Sequence, residues 1–279
     1  MPLLTLQEIQ SLTPLFRGRV GGVLARGAMH LLSVDRVNAL YDRHAHHQGA
    51  DFAHRVLDDL GIIYDVYAES SEVIGQQSML AQGTPFITIS NHPYGHLDGI
   101  ILADYFGHLR SDYKLMVNQL LGRIAPLSSS FISVTPTGVE RTAATTVSIM
   151  GVRRALSHLY SGGALGLFPS GAVSDLCLRE GCVRDRMWQS TIIRLIARAQ
   201  VPILPVRFFD GNSMFYYSLG LLDWRLRLLR LPSEVFNKDH RPIRLGLGML
   251  ISVEEQRRYL ATHTLVEFGL WLRSQLSGM

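Results

Sequence analysis

The chain has 279 residues, 47% of them hydrophobic and 18% charged, with a net charge of +4 and a mean hydropathy of +0.14. That length buries a large core, whereas no uncharged, unbroken run reaches the roughly 18 residues a spanning helix needs. The basic balance, with a pI near 9.2, favours anionic partners such as lipid head groups or phosphorylated substrates, and no nucleic-acid module signature is present.

In chain order, residues 1–60 read as an N-terminal helical segment. Leu3, Leu4, Leu6, Ile9 and Leu12 recur near one helical face, and Glu8 without a basic leader predicts no secretory signal. The stretch from Phe16 to Leu32 intersperses Arg17, Arg19 and Arg26 among apolar residues. It suits either a membrane interface or a helix packed on the main domain. His44, His46 and His47 cluster without a further ligand at metal-site spacing, so they read as surface histidines. Residues 61–279 then form one domain in which short apolar runs alternate with helical patterns. Strands are predicted at Ile62–Tyr67, Pro85–Ile89, Tyr113–Val117, Phe131–Val134, Ala164–Phe168, Ile203–Val206 and Ile243–Leu247. Helices are predicted at Leu97–Phe106, Ala143–Tyr160, Arg186–Ala199 and Leu260–Leu276. This alternation predicts an α/β fold with a mostly parallel central sheet flanked by helices. Ser213–Leu231 mixes aromatics, leucines and Arg225, Arg227 and Arg230, a composition for either a membrane surface or a helix covering the sheet. Cys177 and Cys182 are too few for a disulfide framework and read as reduced thiols in a cytoplasmic compartment.

Chemistry concentrates in the stretch PFITISNHPYGHLDGII. An apolar strand ends at Ser90, a polar turn carries His92, and a helix begins with Asp98. The carboxyl end of such a strand is where open α/β sheets bind ligands. An imidazole there can take a proton from an attacking hydroxyl and return it to a leaving group, with a carboxylate steadying the imidazolium. The plainer reading makes Asp98 a helix cap and His92 a turn residue; His96 is a competing base. A second strand ends at Phe168-Pro169-Ser170-Gly171, where backbone N–H groups can hold a phosphate or a developing oxyanion. Ser170 lacks the glycine spacing of a hydrolase nucleophile elbow.

SNHPYGHLDG, LFPSGAVS and VPILPV, in that order, resemble the three motifs of the glycerolipid acyltransferases typified by 1-acylglycerol-3-phosphate acyltransferase. The resemblance covers roughly residues 61–250. It implies a peripheral enzyme with His92 as general base, Asp98 as its partner, and no metal or bound cofactor. It further implies an acyl-CoA or acyl carrier protein donor and a lysolipid acceptor at the cytoplasmic face of a bacterial inner membrane. Phe168, Pro169, Ser170 and Gly171 would contribute to substrate binding, and Arg141 would meet the acceptor phosphate, with Arg153, Arg154 and Lys114 as lesser choices. Five residues separate His92 from Asp98, where the usual motif has four, and Ser170 replaces its Glu; a bacterial branch with motifs of the HPLGGLDG kind is similar on both counts. The expected acceptor is 1-acylglycerol-3-phosphate or a related lysophospholipid. The alternatives are a lyso-ornithine or other amino-acid lipid, a thioester or ester hydrolase, and a catalytically silent membrane-binding member of the fold.

Overall fold

The computed structural model describes residues 18–68, 80, 83–118, 121–134, 146–238 and 242–279. Three helices open this part of the chain: α1 (Gly18–Leu31), α2 (Val34–His44) and α3 (Gly49–Asp59). There follow β1 (Tyr64–Ala68), β2 (Phe86–Ser90), α4 (His96–Leu109), β3 (Lys114–Asn118), β4 (Phe131–Val134), α5 (Thr146–Tyr160) and β5 (Ala164–Leu167). A small hairpin, β6 (Asp175–Cys177) and β7 (Cys182–Arg184), precedes α6 (Ser190–Ala199) and β8 (Ile203–Phe208). The chain ends with α7 (Met214–Leu222), α8 (Trp224–Val235), β9 (Ile243–Leu247), α9 (Val253–Leu260) and α10 (Leu265–Ser277).

Seven strands form one sheet in the order β1-β9-β8-β2-β5-β3-β4. All pairings are parallel except β8 with β9, so five strands from β8 to β4 share one carboxyl edge. β2 lies between β8 and β5, and all five of its residues are buried. This is the continuous apolar signature of a strand covered on both faces. Its alternate side chains divide between two core clusters. Phe86 packs with Phe52, Val56, Ile101 and Phe106 from α3 and α4, whereas Ile87 and Ile89 pack with Ala155, Ile196 and Phe268 from α5, α6 and α10. The helices α2 and α3 therefore contribute directly to the core on one face.

The residues 1–17 singled out in the sequence, and Arg141, lie outside the described residues. The helix predicted from Arg186 begins at Ser190 instead; the preceding residues run extended, with the Gln189 N–H donating to the Pro169 carbonyl at 2.9 Å. Ser213–Leu231 is not one segment: it divides at Asp223 into α7 and α8.

Candidate active site

β2 delivers His92 to the middle of the carboxyl edge, and the neighbouring β5 delivers Phe168 beside it. The two rings stack with centroids 4.0 Å apart and planes at 30°. Asp98 lies in the first turn of α4, where its Oδ2 accepts hydrogen bonds from the backbone N–H groups of Tyr94 and Gly95, both 2.9 Å. The same oxygen lies 2.9 Å from His92 Nδ1, with 17% of the His92 side chain exposed and 0% of Asp98. Asp98 is thus both a helix cap and the partner of His92. Nδ1 is buried against the carboxylate, so Nε2 is the ring nitrogen on the side of the cavity that His92 lines. Burial pushes the Asp98 carboxyl above its ordinary value, while the contact with His92 and the two N–H groups act to lower it. This is the balance expected of a carboxylate taken out of water and held by specific donors.

The turn between them is held from outside. Tyr217 Oη, on α7, donates to the Pro93 carbonyl at 2.7 Å, and Asn212 Nδ2 donates to the Tyr94 carbonyl at 3.1 Å. Lys238 Nζ in turn donates to Asn212 Oδ1 at 2.8 Å. Gly95 adopts φ 77°, and a Cβ there would come within 3.1 Å of Val173, so both the left-handed backbone and the close packing require glycine. The extra residue between His92 and Asp98 is absorbed in this clamped turn. Asn91 fixes its other end, accepting from Phe208 N and donating to Phe208 O, each at 2.8 Å. The side-chain amide so continues the β2–β8 pairing by one more rung.

His92 is also gripped from behind by the residues flanking the β6–β7 hairpin. Its N–H donates to Asp185 Oδ1 at 3.1 Å, its carbonyl accepts from Ser174 N at 2.9 Å, and Ser174 Oγ donates to Asp185 Oδ1. Burial raises the Asp185 carboxyl, with Ser174 and His92 opposing. Ser174 closes the LFPSGAVS motif, whereas Asp185, Asn212 and Tyr217 belong to no spacing pattern with His92. Those three are single polar residues in distant segments, and no local pattern ties them to the turn.

A cavity of about 1110 Å³ opens at this edge. Its wall draws on both core clusters: Leu40, Phe52 and Val56 from one face, Met116, Leu167 and Ile192 from the other. His92 sits on the wall between them. Phe168 and Gly171 also line it, whereas Ser170 is buried in its own turn with Oγ donating to the Ala172 carbonyl at 2.8 Å. The Gly171 N–H donates to the Phe168 carbonyl and so is taken within the turn. His96 lines the cavity too, and burial in this apolar setting pushes its pKa down to about 4. Lys114 begins β3, at the sheet edge opposite His92, while Arg153 of α5 is exposed and lines the cavity. Among the described residues no group of three His, Cys, Asp or Glu could hold a metal ion. His44 instead contacts Asp59 at 2.8 Å.

A histidine–carboxylate pair stands at the parallel sheet's carboxyl edge, on the wall of a largely apolar cavity. The acyltransferase family model matches residues 20–271, and the chain belongs to that family: it is an acyltransferase. Among its relatives is a protein of Bacteroides thetaiotaomicron named lyso-glycine lipid O-acyltransferase, 26% identical over 77% of this chain and 75% of its own length. A protein of the same name from Phocaeicola vulgatus is 23% identical over 78% of this chain and 75% of its own.

Proposed function

We propose that this acyltransferase transfers a fatty acyl group from an acyl thioester to the hydroxyl of a lysolipid, in membrane lipid biosynthesis. The observation that carries the reading is the 2.9 Å contact of His92 Nδ1 with buried Asp98, on the wall of an apolar cavity. His92 Nε2 takes the acceptor's proton as its oxygen attacks the thioester carbonyl. The tetrahedral intermediate collapses to an ester, and the departing sulfur takes the proton back from the imidazolium. Asp98 stabilises that imidazolium through Nδ1, and no step involves an acyl-enzyme. Each buried methylene contributes about 0.8 kcal/mol, so a long acyl chain finds ample binding energy in such a cavity. Its reach to both faces of the sheet suits two chains, one from the donor and one from the acceptor, meeting at His92.

The acceptor in this reading is a lyso-glycine lipid or a similar amino-acid lysolipid, rather than 1-acylglycerol-3-phosphate. Two features support it: the names of the two relatives, and Ser170 in place of the carboxylate of the common motif. Arg141 is assigned to the acceptor's anionic group on the sequence resemblance. Product formation from the two acceptors, compared by mass spectrometry with one thioester donor, tests the choice. A preference of at least about ten-fold for the lyso-glycine lipid is expected, given what a single well-placed specificity contact achieves. Equal use, or preference for the phosphate, would return the acceptor to the lysophospholipids.

The reaction is assigned to the cytoplasmic face of a bacterial inner membrane, with the protein bound peripherally. No helix among the described residues is long and apolar enough to cross a membrane. The α7–α8 hairpin leaves Met214, Phe215, Leu221 and Leu222 exposed, and α8 lines the cavity through Pro232 and Val235. That hairpin is the surface through which lipid would enter.

A further inference from the structure

The chain contains two cysteines in 279 residues, and the fold sets them opposite each other. In the β6–β7 hairpin Asp175 pairs with Arg184, Leu176 with Val183 and Cys177 with Cys182. Directly opposed residues of an antiparallel pair have Cα atoms about 4.5 or 5.5 Å apart, depending on whether the pair exchanges hydrogen bonds. Both spacings fall within the roughly 4.4–6.8 Å over which a disulfide closes. Opposed side chains also leave the same face of a hairpin, and the packing shows which face that is. Leu176 and Val183 pack against Tyr216, Tyr217 and Leu231 of α7 and α8. Side chains alternate along a strand, so Cys177 and Cys182 share the outer face. Cys182 is exposed and Cys177 half-buried, both as free thiols. The Cys182 thiol donates to Glu180 Oε2 at 3.8 Å, a bond within the hairpin's own loop that can be given up without disturbing the main sheet.

We propose that Cys177 and Cys182 are a reversible redox site, a dithiol that closes to a disulfide by exchange with a small-molecule disulfide such as oxidised glutathione and so stiffens the hairpin that holds the His92 backbone. One cysteine thiolate attacks a glutathione sulfur and releases the first glutathione thiolate, which takes up the proton the cysteine lost. The second cysteine thiolate then attacks the protein sulfur of the mixed disulfide and releases the second glutathione. The protein gives up two electrons and two protons, and oxidised glutathione becomes two thiols. Exposed disulfides are the readily reversed ones. The position gives the bond its consequence. Ser174, just before β6, donates its N–H to the His92 carbonyl, and Asp185, just after β7, accepts from the His92 N–H. Each strand of the hairpin has only three residues, so a covalent tie at its far end adds to a short ladder. The inference stands on the hairpin alone and does not depend on acyl transfer.

The test treats the full-length protein with oxidised glutathione, beside Cys177→Ser and Cys182→Ser. Intact mass, alkylation of free thiols and hydrogen exchange are read before and after dithiothreitol. The wild type is expected to become a monomer lighter by two hydrogens, with neither cysteine alkylated, and to recover both thiols on reduction. Hydrogen exchange over residues 173–185 is expected to slow severalfold in the oxidised form, because a cross-linked hairpin opens less often. Neither serine variant is expected to lose the two hydrogens or to show that slowing. A wild type that keeps both thiols, carries glutathione on both cysteines or cross-links between copies would overturn the proposal. So would a disulfide that forms only in urea, since the native hairpin would then hold the thiols apart. An intramolecular disulfide with unaltered exchange would overturn the stiffening of the hairpin.

Discussion

At the scale of single residues, the site depends on one oxygen. Asp98 Oδ2 faces Tyr94 N, Gly95 N and His92 Nδ1 together, so the carboxylate that starts α4 also orients the His92 ring. A buried charge is tolerated only where polar partners replace water, and two backbone N–H groups and the His92 ring converge here. His96, two residues earlier, has the opposite fate: burial lowers its pKa from 6.5 to about 4. Between those values the unfolded chain holds a proton on this ring that the folded chain does not. Stability is therefore lost as the pH falls through that window and levels off below it. Asp98, raised by burial, works in the other direction, gaining stability as the pH falls. Urea unfolding of His96→Gln beside the wild type isolates the histidine. The variant's stability is expected to decline less from pH 6.5 to 4, and an unchanged decline would remove His96 from that acid response.

Among the elements, α7 has two faces with different tasks. One buries Tyr217 and clamps the turn that carries His92; the other exposes Phe215 (60%) and Leu222 (79%). Apolar side chains beside a cation favour the lipid interface, and Arg230 lies over the Phe215 ring, so Phe215→Asp with Leu222→Asp is expected to abolish sedimentation with anionic vesicles. Retained sedimentation would move the interface to another surface. This division of labour was only half legible in the sequence. The aromatic and basic content of 213–231 was visible, but not the break at Asp223, nor that Arg227 is buried and bound to Asp175. The central strands were plain because β2 and β8 are nearly continuous apolar runs. The β6–β7 hairpin was not, because three-residue strands show no period and exist through pairing with each other. His92 and Asp98 were legible through local spacing. Asp185, Asn212 and Tyr217 reach the same turn from about 90 or more residues away, a juxtaposition that only the parallel sheet and its loops create.

For the whole molecule, the sheet order places β2 between β8 and β5, so three strand ends converge where His92 emerges. The cavity passes that point from one face of the sheet to the other. In the proposed reaction acceptor and donor meet at one base. His92 is that base in the proposed transfer. Purified wild type and His92→Ala, matched for thermal melting, should be given an acyl thioester and a lyso-glycine lipid, with free thiol and acylated product measured together. The wild type is expected to release one thiol per ester formed and none without the acceptor, and His92→Ala to lose roughly 10²–10⁴-fold of that rate. A His92→Ala enzyme with wild-type turnover, or thiol release that needs no acceptor, would contradict the account.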